Sequence, residues 1–490
     1  MRISFDQTSS SSRALVSPNG RKTRWLGVAA AVRASLAAGR FAPDEALPST
    51  RELAQQLDVH RHTVMSALDA LVAEGLLQVK PRRGYFVCSA PPELPAPQPA
   101  APLAFGGFRL VRGEHAEPEE AAPAPSIHMH AAFPDTTLLP MAELRAAYAH
   151  VLKKRAAAAF GRPDERGVPA LRRELTRYVR RARGFVPQAL LVTHGSQEAL
   201  ALVGQVLLRP GDRVLIEEPG YPQAAAAFRA LGAKLVPLPV DAQGLRIDAL
   251  ANALARHKPR LLYTTPNHHY PTTVTLSAPR RAALLQLTSQ HDVPVLEDDY
   301  DHEYHYRGAP QPPLAASQAR HVVYVATLTK LVAPSVRVGF ACGDPELIDA
   351  MVRVRALFVR GQEGVTQSAL ADWMADGGLD RHLRRARRVY AQRRDLALAC
   401  LARASEQVPF QFTPPDGGLA IWSVWPEHDV AQLAARAAAR GVWVLPETQT
   451  SLRRRGHGIR LAFGAITPTQ FEEGISVLVQ EAKRSGRRRK

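Results

Sequence analysis

Cysteine is scarce. Three occur in 490 residues, Cys88, Cys342 and Cys400, far apart and odd in number. This excludes a disulfide framework and a cysteine-based zinc site, and it suits a reducing cytoplasm, where the chain is expected to reside. Long apolar runs are missing too. No stretch of about 18 uninterrupted apolar residues occurs, so no membrane-spanning helix is expected. The opening MRISFDQTSSSSR lacks the apolar core of a signal peptide. Acid is in short supply: Asp+Glu total 45 against 63 Lys+Arg, a formal charge of +18. Such an excess of base favours a polyanionic partner. There is no internal repeat.

What is present is enough chain for two to three domains, 46% of it apolar. The sharpest break is PPELPAPQPAAPLAF and EPEEAAPAP, within 91–125, which hold nine of the 39 prolines. A segment of this composition buries little and reads as a linker. The organisation expected is a tail over 1–20, a first module over 21–90, a linker over 91–126, a large module over 127–485 and a basic tail over 486–490.

The first module reads as a helix (23–38), a second (50–57), a third (61–74), then a hairpin (76–88). Ser49 with Glu52 three residues later is a capping box for the second helix. Leu53 and Leu57 then face Val64, Leu68 and Leu71 of the third, which Gly75 ends. Two short helices and a basic hairpin match a winged helix-turn-helix, a reader of double-stranded operator DNA. Arg61, His62 and Thr63 stand at the start of the third helix, where a recognition helix meets base edges. Arg51 is placed to reach a phosphate, and Arg82 and Arg83 lie at the hairpin tip. A helical docking domain with a charged, solvated face is the alternative. The run LPSTRELAQQLDVHRHTVMSALDALVAEGLL with GYFV resembles the GntR family of regulators, except that His60 stands where that family has Ser or Thr.

Beyond the linker, apolar runs alternate with helical patterns: LLVT (190–193), VLIEE (214–218), KLVPLPV, RLLYTT, PVLEDD and VVYVAT. This alternation predicts a mainly parallel sheet covered on both faces. LAIWSVW, VWVL and IRLAF, between helices over 395–485, predict a smaller C-terminal α/β subdomain. Lys330, in ATLTK at the end of an apolar strand, is partly desolvated in such a place, which lowers a lysine's pKa and permits a Schiff base with an aldehyde. A lone lysine after a strand is usually a surface lysine, and here the neighbours matter. Thr327, Thr329 and Arg337 carry the groups that hold a phosphate. Ser196 and Gln197 open a helix after LLVT and Gly195, a ready anion site. Asp298, in Glu297-Asp298-Asp299-Tyr300, needs a cationic partner if buried, and a pyridinium nitrogen would serve; a metal site or a solvated turn is the alternative. Tyr221 is placed to stack on an aromatic ring.

Together these groups describe a pyridoxal 5′-phosphate site, and the large module resembles fold-type I aminotransferases. With the reader attached, the whole chain resembles the MocR subfamily of GntR regulators, through FPDTTLLP, RGVPALRRELTRYVRRARGF, VTHGSQEAL, PGDRVLIEEPGYP, TPNHHYPT, LEDDYDHEY and ATLTKLVAPSVRVGF. The resemblance implies that Lys330 forms the internal aldimine, Asp298 pairs with the pyridine nitrogen, Tyr300 bonds the ring hydroxyl and Tyr221 stacks. Ser196, Gln197, Thr327, Thr329 and Arg337 would hold the phosphate, and Arg460 the carboxylate of an effector. It also implies a head-to-tail homodimer and an effector that is a vitamin B6 species or an amino compound. Phe160, Gln223, Tyr270 and Thr273 depart from the pattern, standing where relatives have tyrosine, arginine, asparagine and glycine. A working aminotransferase with an appended DNA-binding domain is the alternative, and a vestigial site in a fold that merely dimerises the reader is a third reading.

Overall fold

The computed structural model describes residues 24–88, 126–162, 164–317, 320–359, 361 and 363–486. The tail expected over 1–20, the linker apart from its last residue and the final basic residues 487–490 lie outside the described residues. The chain forms two compact units, Met1–Leu110 and Val111–Lys490.

The first unit has three helices, α1 (Arg24–Ala37), α2 (Thr50–Gln56) and α3 (Arg61–Ala73). An antiparallel hairpin of β1 (Leu77–Lys80) and β2 (Gly84–Val87) follows. The capping box is present: Ser49 Oγ accepts from Glu52 N–H at 3.2 Å, and Glu52 accepts from Ser49 N–H at 2.8 Å. α3 has no such help, because His60 stands at its N-cap without a side-chain hydrogen bond. Its other end is closed by Gly75 at φ +73°, where Leu76 N–H donates to Leu71 O and Gly75 N–H to Val72 O, a Schellman pair. Leu53, Leu57, Val64, Leu68 and Leu71 close one core with Val28 and Val32 of α1 and Leu77 of the hairpin.

The second unit is built on an eight-stranded sheet. In chain order its strands are β4 (Ala189–Thr193), β5 (Arg213–Glu218), β6 (Lys234–Asp241), β7 (Gly244–Leu245), β8 (Leu261–Thr264), β9 (Val295–Asp299), β10 (Val322–Thr327) and β11 (Gly339–Gly343); a short β3 (Ile127–His128) lies outside it. The order across the sheet is β4-β11-β10-β9-β8-β5-β6-β7. Only β11 and β7 run against the direction of the other six strands. Alternate residues of β9 enter different cores, Val295 on one face and Leu296 on the other, which is why these strands read as unbroken apolar runs. β11 carries no such run, since GFACG looks like a loop. Glycine is required there: a Cβ on Gly339 would lie 2.6 Å from the backbone of Gly195.

The smaller subdomain has an antiparallel sheet β12 (Gln411–Thr413), β13 (Ala420–Val424), β16 (Gly458–Ala462), β15 (Leu445–Pro446). The run VWVL is not one strand of it, as the sequence suggests. It splits into β14 (Val442–Trp443), which pairs in parallel with β3, and β15, which pairs with β16. Apolar on both sides, the run has no preference for one sheet, and its partner β3 lies some 300 residues away in the chain.

Leu68 is fully buried, so Leu68→Ala is expected to cost the first unit about 2–5 kcal/mol. Calorimetry of the full chain should show one transition lowered and that of the large unit unmoved.

Candidate functional site: a buried carboxylate, a lysine and an anion cradle

The carboxyl ends of the parallel strands gather the polar side chains, as the topology of open α/β sheets dictates. Three consecutive acids end β9, and the pleat sends them to different partners. Glu297 accepts from Leu314 N–H and Ala315 N–H at 2.8 and 3.0 Å, stitching a loop to the sheet. Asp299 accepts from Tyr324 Oη (2.7 Å) and Asn267 Nδ2 (2.9 Å) and faces Arg183 Nε at 3.1 Å. Burial opposes its ionisation, yet the neighbouring His302, Arg183 and these hydrogen bonds hold it at about 2.

Asp298 points the other way and is 3% exposed. Its Oδ2 accepts from Tyr263 Oη at 3.0 Å, whereas its Oδ1 is buried and has no hydrogen-bond partner. Burial pushes this carboxyl up to about 7, against the pull of Tyr263 and of the Lys330 charge. An acceptor left in this state asks for a cation or an N–H donor.

Lys330 lies half-buried just past β10, with its Nζ 4.2 Å from the centre of the Phe133 ring. The backbone around it is held by Thr327, whose Oγ1 accepts from Thr329 N–H (3.1 Å) and donates to Val338 O (3.3 Å). Thr329 Oγ1 is buried without a partner. Arg337, in the left-handed region at φ +49°, donates to His194 O at 2.8 Å and packs on Gly195, φ +80°, the N-cap of the helix Ser196–Leu207. Gln197 Nε2 donates to Gln223 O at 3.1 Å while its Oε1 is buried without a partner. The amides at the start of this helix, the Arg337 guanidinium and the Thr329 hydroxyl are donors of the kind an oxyanion requires.

Three tyrosines meet edge to edge. Tyr221 meets Tyr270 edge-on at 5.1 Å, and Tyr270 meets Tyr300 at 6.4 Å. Tyr300 Oη donates to His268 O at 2.8 Å. The guanidinium of Arg460, in β16 and 2% exposed, lies 4.9 Å over the Tyr270 ring, and its Nε is buried without a partner. Thr273, one of the departures noted from the sequence, takes the left-handed φ of +63°. Phe160, another departure, is 72% exposed at the end of the helix Ala156–Phe160.

Contacts thus join Tyr221, Tyr270, Tyr300 and Arg460 to one another, Asp298 to Tyr263 and the Lys330 charge, and Arg337 to the start of the helix Ser196–Leu207, while Phe160 stands apart, exposed. Sequence reasoning missed Tyr263 and Phe133. Tyr263 stands beside Leu296 of β9 in register, a neighbour visible only once strand order is known. Phe133 lay in plain sight in FPDTTLLP, yet nothing local pairs it with a lysine some 200 residues on.

In the first unit, Arg51, Arg61, His62, Arg82 and Arg83 are exposed and Thr63 is half-buried. Arg61 Nε donates to Thr50 Oγ1 at 3.0 Å, which ties the start of α3 to the start of α2. In the hairpin, Lys80 and Arg83 lie over the Phe86 ring at 4.5 and 5.5 Å, and Arg82 makes the turn at φ +61°.

The family model for aminotransferase class I and II matches residues 133–478, and that for the bacterial regulatory proteins of the gntR family matches residues 26–87. Among solved structures, the multiple substrate aminotransferase from Thermococcus profundus is 28% identical, with a TM-score of 0.70, over 75% of this chain and 93% of that one. The kynurenine aminotransferase of Pyrococcus horikoshii, solved in complex with PMP, is 29% identical, with a TM-score of 0.70, over 74% and 91%. The large unit is therefore a class I and II aminotransferase fold, a family that works with pyridoxal phosphate, joined to a GntR reader. The probable rhizopine catabolism regulatory protein MocR of Rhizobium meliloti is 31% identical over 475 residues, 91% of each chain. The HTH-type transcriptional regulator TauR of Rhodobacter capsulatus is 31% identical over 479 residues, 94% of this chain and 97% of that one. The chain belongs to the MocR-type GntR transcriptional regulators.

The raised Asp298 carboxyl gives a pH test. Folding favours its protonated form, so its contribution is intact below about pH 4, its unfolded value, and is lost as pH rises through 7. Asp298→Asn should match the wild type near pH 4 and melt at a higher temperature above pH 8 when both are stripped of cofactor. Glu297 and Glu303 also titrate high, so the difference between the two melting curves is the quantity to follow.

Proposed function

We propose that this chain is a cytoplasmic operator-binding regulator whose large unit holds pyridoxal 5′-phosphate and responds to a vitamin B6 species or an amino compound. The observation that carries the proposal is a buried acceptor and a buried hydroxyl without partners, Asp298 Oδ1 and Thr329 Oγ1, beside one lysine. That set fits a ring bearing a protonated nitrogen at one end and a phosphate at the other. Such a coenzyme supplies an aldehyde that amines capture and a ring that withdraws electrons.

The chain's own groups do the rest. Lys330 offers the amine. Asp298, oriented by Tyr263, holds the proton on the ring nitrogen, and a pyridinium there offsets the cost of burying the carboxylate. Tyr221 would stack on the ring and Tyr300 would bond its hydroxyl, while Ser196, Gln197, Thr327, Thr329 and Arg337 would hold the phosphate. Arg460, with its face on Tyr270, keeps its edge for a carboxylate, which a guanidinium grips with two parallel bonds. With Tyr270 in place of the asparagine of the enzymes, the site is built to bind and report.

Response follows if the ligand prefers one of two states of the protein. Two copies in a head-to-tail dimer would present two readers to two half-sites. Phe160, Leu357 and Phe358, each more than 70% exposed, give a second copy apolar surface to cover. In the reader, Arg61, His62 and Thr63 face base edges, and Arg51, Arg82 and Arg83 the backbone.

Lys330→Ala should leave no borohydride-trappable adduct at position 330, by mass spectrometry. It should also abolish the effect of pyridoxal phosphate on operator affinity while keeping basal DNA binding. Unchanged responsiveness in that variant would sink the sensing role. Arg61→Ala should weaken binding to a selected operator fragment by about 1–3 kcal/mol and relax its sequence preference. An equal loss on random DNA, with a salt slope shallower by about 1, would make Arg61 a phosphate contact instead.

A further inference from the structure

The contact between Lys330 and Phe133 does more than fill space. Lys330 Nζ sits 4.2 Å from the centroid of the Phe133 ring, over its face. That face carries negative quadrupole and attracts an ammonium; it attracts far less a nitrogen whose charge is delocalised into a conjugated ring and drawn away from it. The strength of the contact therefore depends on what the lysine nitrogen is bonded to.

Phe133 belongs to a segment with unusual connections. Ile127 N–H and Met129 N–H donate to Gly441 O and Trp443 O, each at 2.7 Å. Met129 O accepts from Ala462 N–H at 2.8 Å, and Ala462 ends β16, the strand of Arg460. Asp135 N–H donates to Tyr390 Oη at 2.8 Å, and its carboxylate pairs with Arg393. Phe133 O packs so close to Gly464 that a Cβ there would lie 2.6 Å from it. Residues 127–135 thus touch the lysine, the strand of the carboxylate-binding arginine and the long helix Gly378–Ser405, and in sequence they follow the segment read as a linker.

We propose that Phe133 is a positioning residue that senses whether Lys330 is bonded to the coenzyme or has been displaced as an ammonium by an incoming amine, and that it passes this to residues 127–135. The inference rests on the preceding reading that Lys330 captures pyridoxal phosphate. In the exchange, the amine nitrogen forms a bond to the coenzyme carbon and the bond from that carbon to Lys330 Nζ breaks. Starting from the protonated linkage, both protons of the amine end on the lysine, which leaves as an ammonium; no oxidant or reductant is needed. Phe133 stabilises that product and so favours the amine-bound state.

The test uses full-length protein loaded with pyridoxal phosphate and propylamine as the probe, an amine with no carboxylate for Arg460. Displacement is followed by the visible spectrum and by loss of the borohydride-trappable adduct at Lys330. Phe133→Leu keeps apolar bulk without the π face and should raise the propylamine concentration for half displacement about two- to five-fold. Phe133→Trp, the stronger cation-π partner, should leave it unchanged or lower it. Hydrogen exchange of residues 127–135 should slow on adding propylamine to the wild type and change less in Phe133→Leu. Equal midpoints for wild type and Phe133→Leu overturn the proposal, as do Leu and Trp shifts in the same direction, which would mean packing alone. If Phe133→Leu does not fold, a Trp midpoint above that of the wild type overturns it. Absence of any adduct in the wild type removes the underlying cofactor reading instead.

Discussion

A carboxylate buried in the middle of a sheet with one oxygen unpartnered sets the terms for the rest of the large unit. Asp298 cannot be solvated where it sits, and Tyr263 satisfies only half of it. The adjacent acids show that the fold can satisfy a carboxylate when nothing else is required: Glu297 has two backbone amides, and Asp299 a tyrosine, an asparagine and an arginine. Leaving Asp298 short of a partner favours either its protonated form or a cationic neighbour. Anything that brings a positive ring nitrogen removes a standing penalty, and binding and stability become linked.

The same logic extends outward. Asp298 Oδ1 and Thr329 Oγ1 are buried without partners, while Glu297 and Asp299 beside them are paired. Arg460 shows both conditions in one side chain, its face covered by Tyr270 and its Nε unpartnered. Cation-π contact leaves the edge of a guanidinium available for a carboxylate, so Tyr270 and an amino-acid ligand need not compete.

Phe133 gives the site an output. A contact whose strength follows the charge on one nitrogen converts a change of covalent bonding into a change of packing, on a segment joined to both the large sheet's cleft and the small sheet. Two of the four departures from the enzyme pattern lie near Arg460. Tyr270 and Thr273 reshape the turn beside Arg460, and Thr273 holds a left-handed conformation that is costly for a β-branched residue.

Local physics made much of this legible beforehand. The capping box at Ser49, the stop at Gly75 and the apolar stripe of α3 depend on residues within one or two turns, so the reader's elements could be placed from spacing alone. Runs such as VVYVAT and PVLEDD announced strands buried on both faces, and the lysine, acid and hydroxyls at their ends followed. Tertiary structure alone decided what depends on strand order and distant pairing. Tyr263 meets Asp298 because β8 lies beside β9, β11 is a strand because glycine lets Gly195 approach it, and VWVL divides between two sheets because β3 returns to claim half of it. Propensity and patterning act over a few residues. Which carboxylate oxygen is left without a partner, and which ring lies over a lysine, is settled by side chains that meet only after the chain has closed on itself.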